Sequence, residues 1–394
     1  HAMASAALAH LARYQRGPEG GVVIAPSSIP PLHPAMSTLV GDHPVPGPGS
    51  VAAGRALASL AARVGPAHEV WVLLSGGATS LAADPLDGVT QQELGTLYSV
   101  LLGSGLDIAA MNTVRKRFSR WGAGRLAVAL HPARVRSFIV SDVIGDDLSA
   151  IGSGPCVPDG ATAADVRALL VDAGLWERIP SSMRDHLAEV ERDAALETPK
   201  PGNPAFTRVE HHVVAGNRLA LEAAAARAAA LGLSPRVLSA PIQGEAAPAG
   251  RALAATLLGR GGPSGAALDE PRSLSVLLCG GETVVRVGAA AGKGGRCQEL
   301  ALAAAEVLGA AGAPWPLPAL LAAGTDGRDG PTDAAGAIVD GRTWAAIRRA
   351  GRDPDRDLEL HNAYHALDAA GALLRTGLTG TNVMDIVIGL HAGA

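Results

Sequence analysis

The sequence has few cysteines, few aromatic residues and no long hydrophobic run. Its three cysteines, Cys156, Cys279 and Cys297, are far apart and odd in number, which argues against a disulfide scaffold or a zinc site. A chain without disulfides is typical of a reducing cytoplasm, which we expect as its compartment. No apolar run reaches the ~18 residues that a membrane-spanning helix needs, so we expect no membrane partner.

Positive charge is also limited. The formal net charge is −4, and the lack of a basic excess argues against nucleic-acid binding. Only three of the 33 basic residues are lysines, namely Lys116, Lys200 and Lys293. A lysine retained against such a preference for arginine is a candidate for a specific task.

Apolar residues and glycine are plentiful. The chain has 394 residues, of which 48% are hydrophobic and 49 are glycines. This composition predicts a globular protein of two or three domains, with many loops in which glycine allows close approach of the backbone. Apolar strands alternate with helical segments, a pattern typical of a parallel sheet covered on both faces. The predicted strands cover residues 22–24, 70–74, 137–140 and 213–215, and the predicted helices cover 50–64, 90–104, 162–173 and 217–231.

The C-terminal third is predicted to be α/β with a mixed sheet. Residues 274–278, a Gly-Gly turn and residues 284–287 predict a β-hairpin, and residues 259–271 have the composition of a linker. Further helices are predicted at 298–308 and 364–374, and further strands at 320–323 and 386–390.

Gly-rich polar loops follow several strands, at the positions where open α/β sheets bind ligands. The loop Ser75-Gly76-Gly77-Ala78-Thr79-Ser80 would present N–H groups and hydroxyls to an anion, although an ordinary strand-to-helix turn can have the same residues. The loop at 292–296 holds Lys293 and Arg296 and precedes a helix predicted to start near Cys297, whose N-terminus favours an anion. This loop lacks the spacing of a Walker A motif.

Two other loops cluster carboxylates at strand ends. One contains Asp142 and continues into Gly152-Ser153-Gly154-Pro155, and the other is Gly324-Thr325-Asp326 and the residues up to 333. Such clusters suit a divalent cation or a general base, and they equally suit turns and helix caps. A third basic segment, residues 112–116, is either an anion site or a solvated helix end.

Several familiar catalytic patterns are absent. The sequence has no Gly-x-Ser-x-Gly elbow, no Ser-x-x-Lys, no His-Glu-x-x-His and no intact Gly-x-Gly-x-x-Gly fingerprint. Anion-binding loops together with clustered carboxylates favour phosphoryl transfer assisted by Mg²⁺.

Ten collinear segments, spread almost from end to end, carry a family resemblance. They are residues 43–46 (His-Pro-Val-Pro), 74–81, 112–116 (Asn-Thr-Val-Arg-Lys), 141–147, 152–155, 197–200, 280–283, 292–296 with 298–299, 324–336 and 379–383. Together they resemble the type-2 glycerate kinases, whose C-terminal part is called the MOFRL domain.

The resemblance implies an enzyme that transfers a phosphoryl group from ATP, with Mg²⁺, to the 2-hydroxyl of D-glycerate. It implies two three-layer α/β/α domains with the active site in the cleft between them. The first, residues 1–258, would be Rossmann-like with a parallel sheet; the second, residues 272–394, would be the MOFRL domain with a mixed sheet. A homodimer is one option for its assembly.

On this basis the site residues fall into three groups. Nucleotide binding is assigned to Ser75, Gly76, Gly77, Thr79, Ser80, Ser153, Gly154, Thr325 and Asn382. Lys293 and Arg296 are assigned to stabilise the negative charge of the transferred phosphoryl group. One of the two is also a candidate for binding the glycerate carboxylate. Asp142 and Asp326 are candidates for base and Mg²⁺ ligand, without a division between them.

Two other readings stay open. One is an NAD(P)H-dependent hydroxypyruvate reductase, although the dinucleotide fingerprint is missing. The other is a non-catalytic ligand-binding relative. It is motivated by two features: the lysine of the family's Gly-Lys-Ala turn is missing from this sequence, and Cys297 stands where the family usually has Asn. Met384 is a further departure, since the family usually has Asn there too. A thiol cannot make the two-sided hydrogen bonds of an amide.

Overall fold

The chain forms two compact units. The computed structural model describes residues 1–259, 274–288, 292–312 and 318–392. The amino-terminal unit comprises His1–Val140 and Asp146–Val214, and the carboxy-terminal unit comprises Ser141–Gly145 and Ala215–Ala394. The predicted boundary between residues 258 and 272 does not coincide with this division.

The amino-terminal unit contains five strands and eight α-helices among the described residues, besides short 3-10 turns. They are α1 (Ala2–Arg13), β1 (Gly21–Ala25), β2 (Met36–Val40), α2 (Pro48–Ala61), β3 (Glu69–Leu74), α3 (Ala78–Leu81), α4 (Gln91–Leu102), α5 (Ile108–Arg117), α6 (Arg125–Leu130), β4 (Arg134–Val140), α7 (Ala163–Asp172), α8 (Ser181–Arg192) and β5 (Val209–Ala215).

The strands of this unit form two small sheets. Strand β1 pairs in parallel with β2, and β3 pairs in parallel with β4, which is flanked by β5. The predicted parallel pairing is confirmed, but the strands do not form one continuous sheet. One face of β3–β4–β5 packs on α2 and α6 through Ala61, Leu130 and Val135.

A helical layer holds the basic segment of this unit. Helix α4 begins with a capping box in which Thr90 and Glu93 satisfy each other's backbone N–H groups. Its buried face, with Leu94, Leu97 and Tyr98, packs in one cluster with residues of α5, α7 and α8. Burial of this apolar face fixes the position of α5.

The carboxy-terminal unit contains six strands and six helices among the described residues. They are α9 (Asn217–Ala230), β6 (Ser234–Val237), α10 (Ala246–Leu257), β7 (Leu274–Gly281), α11 (Arg296–Ala310), β8 (Ala319–Gly324), β9 (Gly336–Asp340), α12 (Thr343–Arg349), α13 (Pro354–Glu359), α14 (Ala363–Ala369), β10 (Leu373–Leu374) and β11 (Asp385–Ala392).

These six strands form one mixed sheet in the order β10-β9-β8-β11-β7-β6. Only β6 and β7 pair in parallel. Alternate residues of β7 face opposite sides: Leu277 packs with α10 and α11, whereas Leu278 packs with α9. Both faces are therefore covered by helices, which gives the three layers expected of an α/β unit.

Residues 215–258 belong to this unit because β6 extends its sheet and α10 packs on α11 through Leu253 and Leu300. The predicted linker lies mostly within residues 260–273, outside the described residues. No described helix is long and apolar enough to cross a membrane.

Two predicted elements in this unit are wrong. Residues 284–287 do not form a hairpin strand, since Val284 makes only an isolated bridge to Glu245 and β7 pairs instead with β6 and β11. The helix predicted at 364–374 stops at Ala369, because Gly371 adopts φ +65° and Leu373 and Leu374 form strand β10.

Candidate active site

Hydroxyl groups from two separate loops meet in the amino-terminal unit. We call residues 75–80 together with Ser153 and Gly154 the hydroxyl cluster. Gly77 adopts φ +80° between β3 and α3, a conformation that favours glycine. The Oγ1 of Thr79 lies 2.9 Å from the Oγ of Ser153, and Ser80 Oγ donates to the Gly77 carbonyl. The structure thus brings together two segments that the sequence singled out separately.

Ser153 has an unusual backbone. It adopts φ +65° between Gly152 and Gly154, both also at positive φ, and such strain in a residue with a side chain often marks a functional site. The strained turn is held in place because its carbonyls accept from Ala123 and Gly124 N–H groups, each at 2.8 Å.

The basic end of α5 is buried. Arg115, Lys116 and Arg117 are 8%, 7% and 1% exposed, so the reading of this segment as a solvated helix end is wrong. Lys116 Nζ lies 2.7 Å from Asp159 Oδ1, and Arg117 Nη1 lies 2.6 Å from Glu197 Oε2. These two ion pairs offset the cost of burying Lys116 and Arg117, which is a structural role.

Replacing Glu197 by Gln is expected to lower the free energy of unfolding at pH 7 by about 3 kcal/mol, because the buried Arg117 would lose its short ion pair and keep only Asp159 Oδ2 at 4.0 Å. Burial opposes ionisation of Glu197, but Arg117 outweighs it and lowers the pKa of Glu197 to about 2. The stabilisation is therefore present above the ordinary carboxyl pKa and lost as pH falls toward 2. Urea titrations at neutral and acid pH check this, with Glu191→Gln, an exposed partner of Arg167, as control. An equal difference between wild type and Glu197→Gln at both pH values would contradict it.

Arg296 opens α11 in the carboxy-terminal unit and is held by two carboxylates. Its Nε and Nη2 donate to Asp385 at 2.6 and 2.9 Å, and its Nη1 donates to Glu282 Oε1 at 2.6 Å. Asp385 is only 2% exposed. A guanidinium has five N–H donors, so three serve to fix Arg296 and two remain for another acceptor.

The N-terminus of α11 binds a carboxylate of the chain itself. Asp329 accepts from the backbone N–H groups of Cys297 at 3.1 Å and Gln298 at 2.8 Å. Burial raises the pKa of Asp329 to about 6, although these two N–H groups lower it. The sequence predicted an anion at the N-terminus of this helix. At the N–H groups of Cys297 and Gln298, the anion present is the side chain of Asp329.

Lys293 is held by backbone contacts and by an aromatic ring. Its backbone N–H donates to Asn362 Oδ1 at 3.1 Å, and its carbonyl accepts from the Tyr364 N–H at 3.0 Å. Its Nζ lies 3.9 Å from the centre of the Tyr364 ring. Within the described ranges no carboxylate forms an ion pair with Lys293, so its charge is held by an aromatic face.

The two aspartates assigned to base and metal lie in the carboxy-terminal unit. Burial raises the pKa of Asp142, and its charge in turn contributes to the raised pKa of Glu282, for which burial is the main cause. Asp326 Oδ1 accepts from the Arg328 N–H at 2.9 Å, which is a turn contact. The described part of the chain holds no group of three His, Cys, Asp or Glu side chains that could bind a metal.

Thr325 and Asn382 both contact the chain that enters β11. Thr325 Oγ1 donates to the Met384 carbonyl at 2.6 Å and accepts from the Val383 N–H at 2.8 Å. Asn382 Oδ1 accepts from the Met384 N–H at 3.0 Å. Thr325 therefore ties the acidic loop to the segment that positions Asp385, and its hydroxyl is already engaged.

Cys297 and Met384, the two positions at which the sequence departs from the family pattern, directly follow Arg296 and precede Asp385, respectively. Cys297 is 2% exposed, and burial together with the Asp385 and Asp329 charges raises the pKa of its thiol, which keeps it protonated. Met384 adopts φ +68°, a region in which Asn is more common than other side chains. The sequence predicted neither Glu282 nor Asp385 as a site residue. The only signal for Glu282 was its place within the segment 280–283, and the only signal for Asp385 was its position just after the segment 379–383.

Comparison with known proteins agrees with this architecture. Residues 1–188 match DUF4147, a domain of unknown function, and residues 275–385 match the MOFRL family. The chain is 37% identical to the glycerate 2-kinase of Pyrococcus horikoshii, over 90% of this chain and 78% of that one. It is 40% identical to a putative hydroxypyruvate reductase of Agrobacterium vitis, over 89% and 76% of the two chains.

A solved structure has the same fold. The crystal structure of glycerate kinase from Thermotoga maritima superposes with a TM-score of 0.85 at 37% identity, and the match covers 99% of this chain and 88% of that one. The fold and the loops thus define an α/β protein of the DUF4147 and MOFRL type. The chain belongs to the glycerate kinase family that carries a MOFRL domain.

Proposed function

We propose that this chain is an enzyme that phosphorylates the 2-hydroxyl of D-glycerate with Mg²⁺ and ATP. The relationship to glycerate 2-kinases over most of the chain supports glycerate as the substrate. The observation that carries the chemistry is Arg296, fixed by Asp385 and Glu282 while two of its N–H donors stay available.

Phosphoryl transfer needs mainly positioning and electrostatic stabilisation. The hydroxyl cluster offers hydroxyls and a strained turn for nucleotide phosphates, and Thr325 and Asn382 are the further nucleotide candidates. Lys293 and Arg296 carry fixed positive charge for the transferred group. The guanidinium fork of Arg296 also matches a carboxylate.

The acceptor hydroxyl must lose its proton as its oxygen forms the new bond to phosphorus and the bond to the leaving ADP oxygen breaks. Asp142 or Asp326 would take that proton, and the raised pKa of Asp142 suits a general base. Carboxylate oxygens are also suitable Mg²⁺ ligands, and Mg²⁺ commonly takes only one or two of them together with substrate phosphates. When bound, Mg²⁺ neutralises charge on the phosphate oxygens.

A coupled assay tests this proposal. The purified chain is supplied with Mg-ATP, D-glycerate and enolase, which consumes 2-phosphoglycerate but not the 3-phospho isomer. Formation of phosphoenolpyruvate is the expected result. ADP without phosphoenolpyruvate would move the transfer to the 3-hydroxyl. NADH oxidation with hydroxypyruvate, in the absence of ADP formation, would overturn the kinase proposal in favour of the reductase.

A further inference from the structure

Arg115 stands out as a buried cation that has no carboxylate partner in the part of the chain that the structure describes. Its residue exposure is 8%, yet among the described residues no carboxylate forms an ion pair with it, whereas the neighbouring Lys116 and Arg117 pair with Asp159 and Glu197. Its Nε is enclosed and has no hydrogen-bond partner within the described ranges.

The contacts that Arg115 does make are weak. Nη1 lies 3.5 Å from Asn112 Oδ1, at the limit of a hydrogen bond, and Nη2 lies 3.9 Å from the Met111 sulfur. The guanidinium stacks 4.7 Å from the centre of the Tyr98 ring. Burial lowers the pKa of Arg115, which reflects how poorly its charge is compensated.

An uncompensated buried guanidinium costs stability. An aromatic face and two weak contacts offset little of that cost. A side chain that persists in this state is typical of a site that sacrifices stability for ligand binding.

The location of Arg115 indicates which site it serves. Arg115 stacks on the ring of Tyr98. The hydroxyl of Tyr98 donates to the Thr79 carbonyl at 3.4 Å, and the Thr79 side chain contacts Ser153. Helix α5 itself packs on the 3-10 turn Ile151–Ser153. Arg115 is therefore linked to the hydroxyl cluster through the Tyr98 ring, and its helix packs on the turn that carries Ser153.

We propose that Arg115 binds an oxyanion group of a substrate at the hydroxyl cluster. A planar fork of N–H donors recognises a carboxylate or a phosphate, so the group is either the carboxylate of the hydroxy acid or a phosphate of the nucleotide. This inference rests on the proposed kinase function only for the identity of the substrates. The binding of an oxyanion by Arg115 does not depend on that function.

The test compares wild type with Arg115→Met and Arg115→Lys. Arg167→Met is the matched control, because Arg167 also stacks on an aromatic ring, that of Trp176, but is exposed and pairs with Glu191. For Arg115→Met we expect the KM of one substrate to rise about 10–100-fold, while the melting temperature without ligand stays equal or rises. Arg115→Lys restores part of the affinity, and Arg167→Met changes neither KM.

The affected substrate identifies the oxyanion. A higher KM for D-glycerate assigns the carboxylate, and a higher KM for ATP assigns a phosphate. If both KM values stay at the wild-type level and the melting temperature of Arg115→Met falls, Arg115 is structural and the proposal is overturned.

A binding measurement separates this proposal from the proposed function. If wild type shows no turnover, melting temperatures are measured with inorganic phosphate and with D-glycerate. A ligand-induced rise in wild type that is lost in Arg115→Met supports oxyanion binding although the kinase proposal fails. No rise in wild type overturns the proposal.

Discussion

Replacing Arg296 by lysine is expected to lower turnover with D-glycerate and Mg-ATP by about 10³-fold, or ~4 kcal/mol of activation free energy. Lysine keeps the charge but not the fork, so it cannot bond Asp385 through two donors, contact Glu282 and still present donors to a substrate. The three contacts of Arg296 to Asp385 and Glu282 would be lost or rearranged. Steady-state kinetics and a melting curve of the same sample check this.

Arg251→Lys is the matched control for this variant. Arg251 also donates from Nε to a carboxylate, Glu306, at 2.8 Å in the same unit, but both side chains are well exposed. We expect the control to keep its turnover, since exposed ion pairs contribute little. Wild-type turnover in Arg296→Lys would remove Arg296 from the catalytic assignment.

Asp385→Asn tests the positioning step separately. This variant leaves the N–H donors of Arg296 intact. Asparagine keeps only one of the two side-chain oxygens of residue 385 that accept from Arg296, so we expect a smaller loss of turnover than for Arg296→Lys. The split between kcat and KM shows whether the fixed guanidinium acts in the transition state or in substrate binding.

The sequence predicts the strands that are continuous apolar runs. Residues 70–74 and 386–390 fall in β3 and β11, because runs rich in Val, Ile and Leu favour a strand within a sheet. Strand β9 was not predicted, since Gly336 and Ala337 give it little apolar signal. The hairpin prediction at 284–287 was wrong because local turn chemistry does not reveal that β7 finds its antiparallel partner in β11, about a hundred residues later.

The site was predictable only as a set of loops. Glycine, hydroxyl and carboxylate residues at strand ends located the hydroxyl cluster and the Arg296 region. The pairing of Arg296 with Asp385 and the capping of α11 by Asp329 join residues 89 and 32 positions apart, and no local pattern encodes such distances. For the same reason the burial of Arg115 could not be read from a basic helix end, where cations are usual.

Replacing Lys293 by methionine is expected to lower turnover by about 10²–10³-fold with little change in melting temperature. The ring beneath its Nζ is itself fixed, since the Tyr364 hydroxyl donates to Asp333 at 2.7 Å and accepts from Arg375 at 3.2 Å. Lys293 makes no ion pair within the described residues, so methionine would leave no carboxylate unpaired. Kinetics and melting curves measured together distinguish this result from unfolding.

The control for the loss of a charge is Arg348→Met, an exposed cation of the same unit that pairs with Asp355 and that we expect to leave turnover unchanged. Lys293→Arg should recover part of the activity, because a guanidinium also stacks on an aromatic ring and attracts phosphate. A cation held by a ring rather than a carboxylate keeps its charge uncompensated until an anion arrives. Turnover of Lys293→Met close to that of wild type would mean that the Tyr364 ring, and not a substrate, is its functional partner.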